Sequence, residues 1–251
     1  MMNKEFISTL AVAAGKILVE RRGARIVKVK FGTDIVTEAD EASERFIRGE
    51  IRDHYPDHGV VGEEYGDNEA VSEWQWVIDP LDGTVNFSRG SSYFAVSIAL
   101  ARNGVAQLGA VYRPLTDELF LAERGKGATL NGEPLRVSSV DSLGESIFIM
   151  DWSRLHARQE TFAKFQNLFF TVEKVRSLGS ASLDLCSIAS GQLEGFAHPG
   201  LAPWDFAAAQ LILAEAGGCV TTLEGTNRSL EAGSVLGTNG KLHQEALALL
   251  R

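Results

Sequence analysis

Two aspartates separated by Pro-Leu form the sharpest chemical feature of this 251-residue chain, in the segment Asp79-Pro80-Leu81-Asp82-Gly83-Thr84 that directly follows the apolar run Trp76-Val77-Ile78. Proline gives no donor to a central ladder, so the chain is expected to turn there and project both carboxylates from the strand's end. Carboxylates so placed can reach a common cation, and Mg²⁺ prefers oxygen ligands. Gly83 lets the backbone approach a ligand closely, and a helix starting near Thr84 would turn its free N–H groups toward an anion such as phosphate. Asp-Pro and Asp-Gly pairs are also ordinary turn chemistry. The nearness of cation ligands to anion donors is what favours a site over a plain turn.

Three more segments carry acids at strand or helix ends. Gly62-Glu63-Glu64 follows Val60-Val61. Paired acids usually belong to a solvated loop, but a short strand and a glycine would hold at least one carboxylate at the sheet end, with Glu63 the better ligand candidate. Pro203-Trp204-Asp205 stands at a predicted helix start. There Asp205 reads equally as a capping residue or as a ligand. The stretch from Asp34 through Thr37 to Asp40 reads as a polar loop entering a helix, where capping alone accounts for Thr37 and Asp40.

The elements that must position these residues follow from apolar spacing. Phe6, Leu10, Ala13 and Ile17 predict an opening helix that Gly23 can end, and a second helix should run from Thr37 to before Pro56 with Ala42, Phe46 and Ile51 inward. Short apolar runs at 60–61, 76–78, 94–100, 106–112 and 119–122, with turn signals at Gly125-Lys126-Gly127 and Asn131-Gly132, predict an antiparallel meander. Beyond it come strands at 146–150 and 172–175, helices through Phe162 and Phe165 and over 180–189, a helix over 204–216 opened by Pro203, strands at 220–223 and 235–238, and a short helix from Lys241.

The composition is that of a soluble globular protein, 45% hydrophobic and 23% charged. A net charge of −9 disfavours nucleic acid as a ligand, and Arg21-Arg22, Arg25, Lys28 and Lys30 read as an edge strand with solvated charges. Cys186 and Cys219 are too far apart for a local metal or redox motif and read as buried thiols of a reducing cytosol. No apolar run approaches the roughly 18 residues a membrane span needs, and nothing directs export, so a cytoplasmic protein without membrane contact is expected.

Taken together, the four acidic segments resemble the inositol monophosphatase family of lithium-sensitive, magnesium-dependent phosphatases. They stand in family order over nearly the whole chain, with Val85-Asn86-Phe87 continuing the third and Ala216-Gly217-Gly218 ending the helix of the fourth. The resemblance implies an α+β fold, a layered α-β-α-β-α sandwich forming one domain over 1–251, with lobes at about 1–140 and about 141–251, and a homodimer. It implies two to three Mg²⁺ ions, with Glu63, Asp79 and the Leu81 carbonyl on the first and Asp79, Asp82 and Asp205 on the second. It also implies that Thr84 and Asp40 orient the attacking water, with Glu63 beside them. The Gly83 and Thr84 amides would hold phosphate oxygens, and Gly179, Ser180 and Ala181 would line the substrate pocket. Glu64 and Asp34 match the motifs without a fixed role.

Val85-Asn86-Phe87 resembles the inositol branch, whereas the nucleotide bisphosphatase branch usually shows Lys-Glu-Phe. One departure is His198, where inositol enzymes often carry a glutamate that binds ring hydroxyls. It reads equally as a loop residue. The expected substrate is a small phosphorylated polyol or sugar, inositol 1-phosphate first, with fructose 1,6-bisphosphate and histidinol phosphate as alternatives. A non-catalytic cation-binding module is the reading from a different class, and the anion site at Gly83-Thr84 argues against it.

Overall fold

The computed structural model describes residues 4–31, 34–67, 72–152, 157–227 and 229–250. Helix α1 (Lys4–Glu20) buries Ile7, Leu10, Ala11, Ala14 and Leu18, a stripe rotated by about one residue from the expected one. The helix is apolar over most of its circumference, so spacing alone does not select the inward line. Strands β1 (Ile26–Phe31) and β2 (Asp34–Thr37) pair antiparallel, with Val29 opposite Ile35 and Lys28 opposite Val36. The segment expected as a polar loop is therefore a strand, its β-branched Ile35 and Val36 outweighing the flanking polar residues.

Helix α2 (Glu38–His54) begins where expected. Thr37 caps it, accepting from the Ala39 N–H at 3.2 Å, while Asp40 Oδ2 accepts from the Thr37 N–H at 2.8 Å, a reciprocal capping box. Its buried stripe is Ala39, Asp40, Ser43, Glu44, Ile47 and Ile51, so half of the inner face is polar. Ala42 and Phe46, expected inside, are only half-buried.

Strands β3 (Gly59–Gly62), β4 (Gly66–Asp67) and β5 (Trp74–Asp82) precede the short helix α3 (Thr84–Ser88). The meander follows as β6 (Ala95–Arg102), β7 (Val105–Arg113), β8 (Glu118–Glu123), β9 (Ala128–Leu130) and β10 (Glu133–Pro134). These form an eight-stranded sheet in the order β10-β9-β8-β7-β6-β5-β3-β4, antiparallel as expected except where β3 lies parallel to β5. Contrary to expectation, β5 does not end before Pro80. It continues to Asp82 through a bulge, in which Asp79 faces Ser97 and Asp82 faces Ala95 on β6. On the other side β3 pairs no further than Ile78, so the proline removes no bond from that ladder.

The second half contains β11 (Ile147–Met150), α4 (Arg158–Thr171), β12 (Lys174–Arg176), α5 (Ala181–Ala189), β13 (Gly195–Leu201), α6 (Pro203–Glu215), β14 (Cys219–Thr221), β15 (Gly233–Thr238) and α7 (His243–Leu249). Its five-stranded sheet has the order β12-β11-β13-β15-β14, with β11 parallel to both neighbours. Strand β13, unseen in the apolar pattern because glycines and Pro199 interrupt it, is central there.

Three apolar clusters bind the layers together. One joins α1 and α2 to the outer face of the large sheet, one fills the space between the sheets around α5 and α6, and one packs α4 and α7 on the far face of the small sheet. The result is the α-β-α-β-α sandwich. Gly109 on β7 permits the close crossing of α6, since a Cβ there would meet the Ala208 carbonyl at 2.7 Å. That approach brings the start of α6 toward the end of β5. No described helix is long and apolar enough to cross a membrane.

Candidate active site

The bulged end of β5 is the centre of the site. Asp79 is 2% exposed and Asp82 7%. Burial, and then the charges of Glu63, Asp82 and Asp205, drive the Asp79 carboxyl well above the usual carboxylate range. Asp82 is pushed up by burial and held down in part by hydrogen bonds from Ser182 and Ser180. The four residues expected to share cations are thus electrostatic neighbours, although they arrive from β5, the turn after β3 and the start of α6.

Each of these carboxylates also has a partner in the chain. Asp79 Oδ1 accepts from the Leu81 N–H at 2.9 Å, and Asp205 Oδ2 accepts from the Ala202 N–H at 2.7 Å. Glu63 Oε1 meets Lys30 Nζ at 2.8 Å, and Asp82 Oδ2 meets Ser180 and Ser182 at the start of α5. Among the described residues, no three acidic side chains close around one point as a finished metal cage. The donor set nevertheless suits a hard cation: all-oxygen, mostly buried and mutually repelling, it carries negative charge that a divalent ion would neutralise. Asp205 is both cap and neighbour of Asp79, so its two readings are compatible.

Helix α2 faces this centre with its polar stripe. Asp40 Oδ1 accepts from Thr84 Oγ1 at 3.1 Å, and the same hydroxyl lies 3.0 Å from the Leu81 carbonyl. Burial raises the Asp40 carboxyl, against hydrogen bonds from Thr37 and Thr84. Ser43 Oγ donates to the Pro80 carbonyl at 3.0 Å. Glu44 is fully buried and accepts from Arg48 Nε at 2.8 Å, from the Glu64 N–H at 2.8 Å and from the Tyr65 N–H at 3.2 Å, fixing the backbone that carries Glu63. Sequence reasoning missed Glu44, because its pairing with Arg48 four residues on looks like any exposed helix pair.

Lys30 bridges Glu63 and Glu64, with Glu64 Oε1 at 2.9 Å. Burial lowers the Lys30 ammonium's affinity for its proton, but the two glutamates more than reverse this. Glu64 is pushed up to about 7, because burial and the charges of Glu63 and Asp40 outweigh the help from Lys30. Both partners of one ion pair are thus raised, and for Glu64 desolvation is the larger effect.

Gly83 takes φ 90°, and a Cβ there would meet the Tyr93 carbonyl at 3.0 Å and the Gly179 carbonyl at 3.3 Å. The turn at Gly179 therefore abuts the start of α3, and Asn86 Nδ2 fastens it by donating to the Leu178 carbonyl at 2.7 Å. Ser180 and Ala181 follow, the first 1% exposed and donating to Asp82 at 2.7 Å. His198 lies on β13 and is not a loop residue. Its Nδ1 accepts from the Gly200 N–H at 3.1 Å, which leaves the hydrogen on Nε2, and burial pushes the ring down to about 4 despite Asp151 nearby. Asp34 opens β2, and its side chain lies outside the described residues.

Fold and site together define a layered α+β protein with a buried acidic centre fed from the large sheet and the start of α6. Residues 3–251 match the model of the inositol monophosphatase family, and the chain belongs to that family. It is 40% identical over 242 residues to "Nus factor SuhB" of Pasteurella multocida (strain Pm70), covering 93% of this chain and 90% of that one. It is 39% identical over 215 residues to "Inositol-1-monophosphatase" of Synechocystis sp. (strain ATCC 27184 / PCC 6803 / Kazusa), covering 84% and 75%. Among solved structures, the inositol monophosphatase from Anabaena (Nostoc) sp. PCC 7120 is 37% identical and superposes with a TM-score of 0.88 over 98% of this chain and 94% of that one.

Proposed function

We propose that the protein hydrolyses a small phosphomonoester in a Mg²⁺-dependent reaction, with inositol 1-phosphate as the leading substrate. The observation that carries this reading is the burial of Asp79 among Glu63, Asp82 and Asp205, directly beside the Thr84–Asp40 pair. Glu63, Asp79, the Leu81 carbonyl, Asp82 and Asp205 would hold two to three ions, which supply positive charge for the phosphate and acidify bound water.

The remaining steps belong to the chain. The Thr84 hydroxyl has two acceptors, Asp40 Oδ1 and the Leu81 carbonyl, so its hydrogen points toward them and its lone pairs are free to accept from an attacking water. Asp40 then takes the proton through Thr84. The Gly83 and Thr84 amides donate to phosphate oxygens. On the leaving-group side stand Gly179, Ser180, Ala181 and His198, whose Nε2–H offers a donor where a glutamate would offer an acceptor. This difference keeps fructose 1,6-bisphosphate and histidinol phosphate as alternatives.

The reading takes residues 1–251 as one catalytic unit with lobes at about 1–140 and about 141–251. It also takes from the family a homodimer, a cytoplasmic location and inhibition by millimolar lithium. Two observations support the inositol substrate: the similarity to the Synechocystis inositol-1-monophosphatase and the Val85-Asn86-Phe87 segment. The net charge of −9 argues against nucleic acid as a partner.

The test is phosphate release, with and without Mg²⁺, from inositol 1-phosphate, fructose 1,6-bisphosphate, histidinol phosphate, 3′-phosphoadenosine 5′-phosphate and NADP. Mg²⁺-dependent release from one of them supports the reading and names the substrate. Absence of release from all five, by folded protein that binds Mg²⁺, replaces it with a non-catalytic cation-binding module.

A further inference from the structure

Asp82 is held by a segment one hundred residues further along the chain. Its Oδ2 accepts from Ser180 Oγ at 2.7 Å, from the Ser182 N–H at 2.8 Å and from Ser182 Oγ at 2.5 Å. The two serines are 1% and 0% exposed. Three donors crowd Oδ2, and the Ala181 N–H also hydrogen-bonds the carboxylate, so Oδ1, which the serines do not hold, is the oxygen with more capacity left for a cation.

The arrangement at the start of α5 is unusual for a helix cap. Ser180 is the N-cap residue, yet its side chain makes no capping bond. A capping serine ordinarily accepts from the N–H two or three residues on. Here Asp82 accepts from that N–H, at Ser182, and the Ser180 hydroxyl is turned to donate to the same carboxylate. A carboxylate from the large sheet thus caps a helix of the small-sheet lobe, where the helix dipole favours its charge. Ordinary capping by Ser180 would satisfy the amide without burying a second hydroxyl and a carboxylate. The extra donors act on Asp82, not on the helix.

We infer that Ser182, together with Ser180, is a positioning residue that fixes Asp82 so that Oδ1 faces the cation. This rests on the reading of Asp82 as a cation ligand. The Asn86 bond to the Leu178 carbonyl at 2.7 Å ties the same turn to α3, which directly follows β5. Partners that orient a ligand typically change metal affinity about 10- to 100-fold when removed.

The experiment is calorimetric titration with Mg²⁺ alone, without substrate, of the wild-type protein and of Ser182→Ala, Ser182→Thr, Ser180→Ala and Asp82→Asn, alongside melting temperatures in EDTA. Ser182→Ala should weaken Mg²⁺ binding about tenfold or more. Ser182→Thr, which keeps the hydroxyl and the N–H, should restore most of the affinity. Ser180→Ala should fall between them, because the Ser182 donors remain. If Ser182→Ala melts lower but binds Mg²⁺ as tightly as wild type while Asp82→Asn does not, the serines are structural caps and the inference fails alone. If Asp82→Asn also binds Mg²⁺ undiminished, Asp82 is not a ligand, and the inference falls with that part of the proposed function.

Discussion

The ammonium of Lys30 lies 2.8 Å from Glu63 Oε1, so the carboxylate proposed to meet a metal ion already meets a cation of the chain itself. The same ammonium reaches Glu64 Oε1 at 2.9 Å. Lys30 and a divalent ion would therefore compete for one negative region. Replacing Lys30 by Met removes the competitor and keeps much of the side chain's bulk. Mg²⁺ affinity, measured by calorimetry without substrate, should then rise about fivefold, the equivalent of about 1 kcal/mol for a half-buried pair. Unchanged or weaker binding would show that Lys30 assists the site instead of competing with the ion.

Asp205 serves as both cap and proposed ligand, and Asp205→Asn separates the two roles. The amide oxygen can still accept from the Ala202 N–H, now at 2.7 Å from Oδ2, so α6 keeps its cap. The charge is lost, and with it the attraction for a cation. Turnover should fall about 100-fold or more, since metal charge contributes several kcal/mol at such a centre, and the Mg²⁺ concentration for half-maximal rate should rise. The melting temperature in EDTA should barely change. An unaltered rate removes Asp205 from the site.

The chemistry was most legible where ligand and scaffold signals shared one short segment. Asp79 to Thr84 follows a strand pattern directly, Thr37 and Asp40 form a capping box within one turn, and Asp205 follows the proline that opens α6. What stayed hidden depended on partners distant in sequence. Pro80 suggested a strand end, but a bulge against β6 accommodates it. The strand carrying His198 has too few apolar residues to show a period of two, yet it lies between two other strands of its sheet. Lys30 reads as an exposed edge-strand charge until the turn after β3 is brought against it. No local pattern links Ser182 to Asp82 across one hundred residues.

Glu44 is the clearest of these hidden contributors. It is fully buried, and its carboxylate serves Arg48 and the N–H groups of Glu64 and Tyr65. Glu44→Ala would leave the Glu64 and Tyr65 N–H groups without their acceptor and take one partner from Arg48, which still donates to the Gly66 carbonyl, a loss of about 3 kcal/mol in urea unfolding. Glu44→Gln keeps an acceptor and should lose less than half as much. A loss below about 1 kcal/mol for Glu44→Ala would place it with exposed helix pairs.

Thr84 can be tested by a pair of substitutions. Thr84→Ala removes the hydroxyl between Asp40 and the Leu81 carbonyl, and Thr84→Ser keeps it. Turnover should fall about 10²- to 10⁴-fold in the first, the range for a positioned proton-transfer group, and only modestly in the second. Mg²⁺ affinity should stay close to wild type in both. Equal losses in the two variants would assign the methyl group, and not the hydroxyl, the leading role.

The acidic centre should also set how stability responds to pH. Glu64 is raised from an ordinary 4.5 to about 7, and burial drives Asp79 upward as well. A carboxyl whose folded pKa is raised holds its proton in the folded state after the unfolded chain has released it, so folding stability falls as pH rises through that interval. For Glu64 the contribution is fully present below about 4.5 and is lost as pH rises through about 7. The Glu64 side chain is only 6% exposed, so solvent screens its share little, and Asp79 adds to it in the same direction. In EDTA the melting temperature should therefore decline from pH 5 to pH 8. Mg²⁺ at about 100 times its dissociation constant should add roughly 2.7 kcal/mol, and it should do so mainly at the alkaline end, where the carboxylates are ionised and able to bind. The difference between the Mg²⁺ and EDTA melting curves isolates the site from all other titrating groups. A difference that stays constant from pH 5 to pH 8 would mean that these carboxyls are not protonated in the metal-free fold.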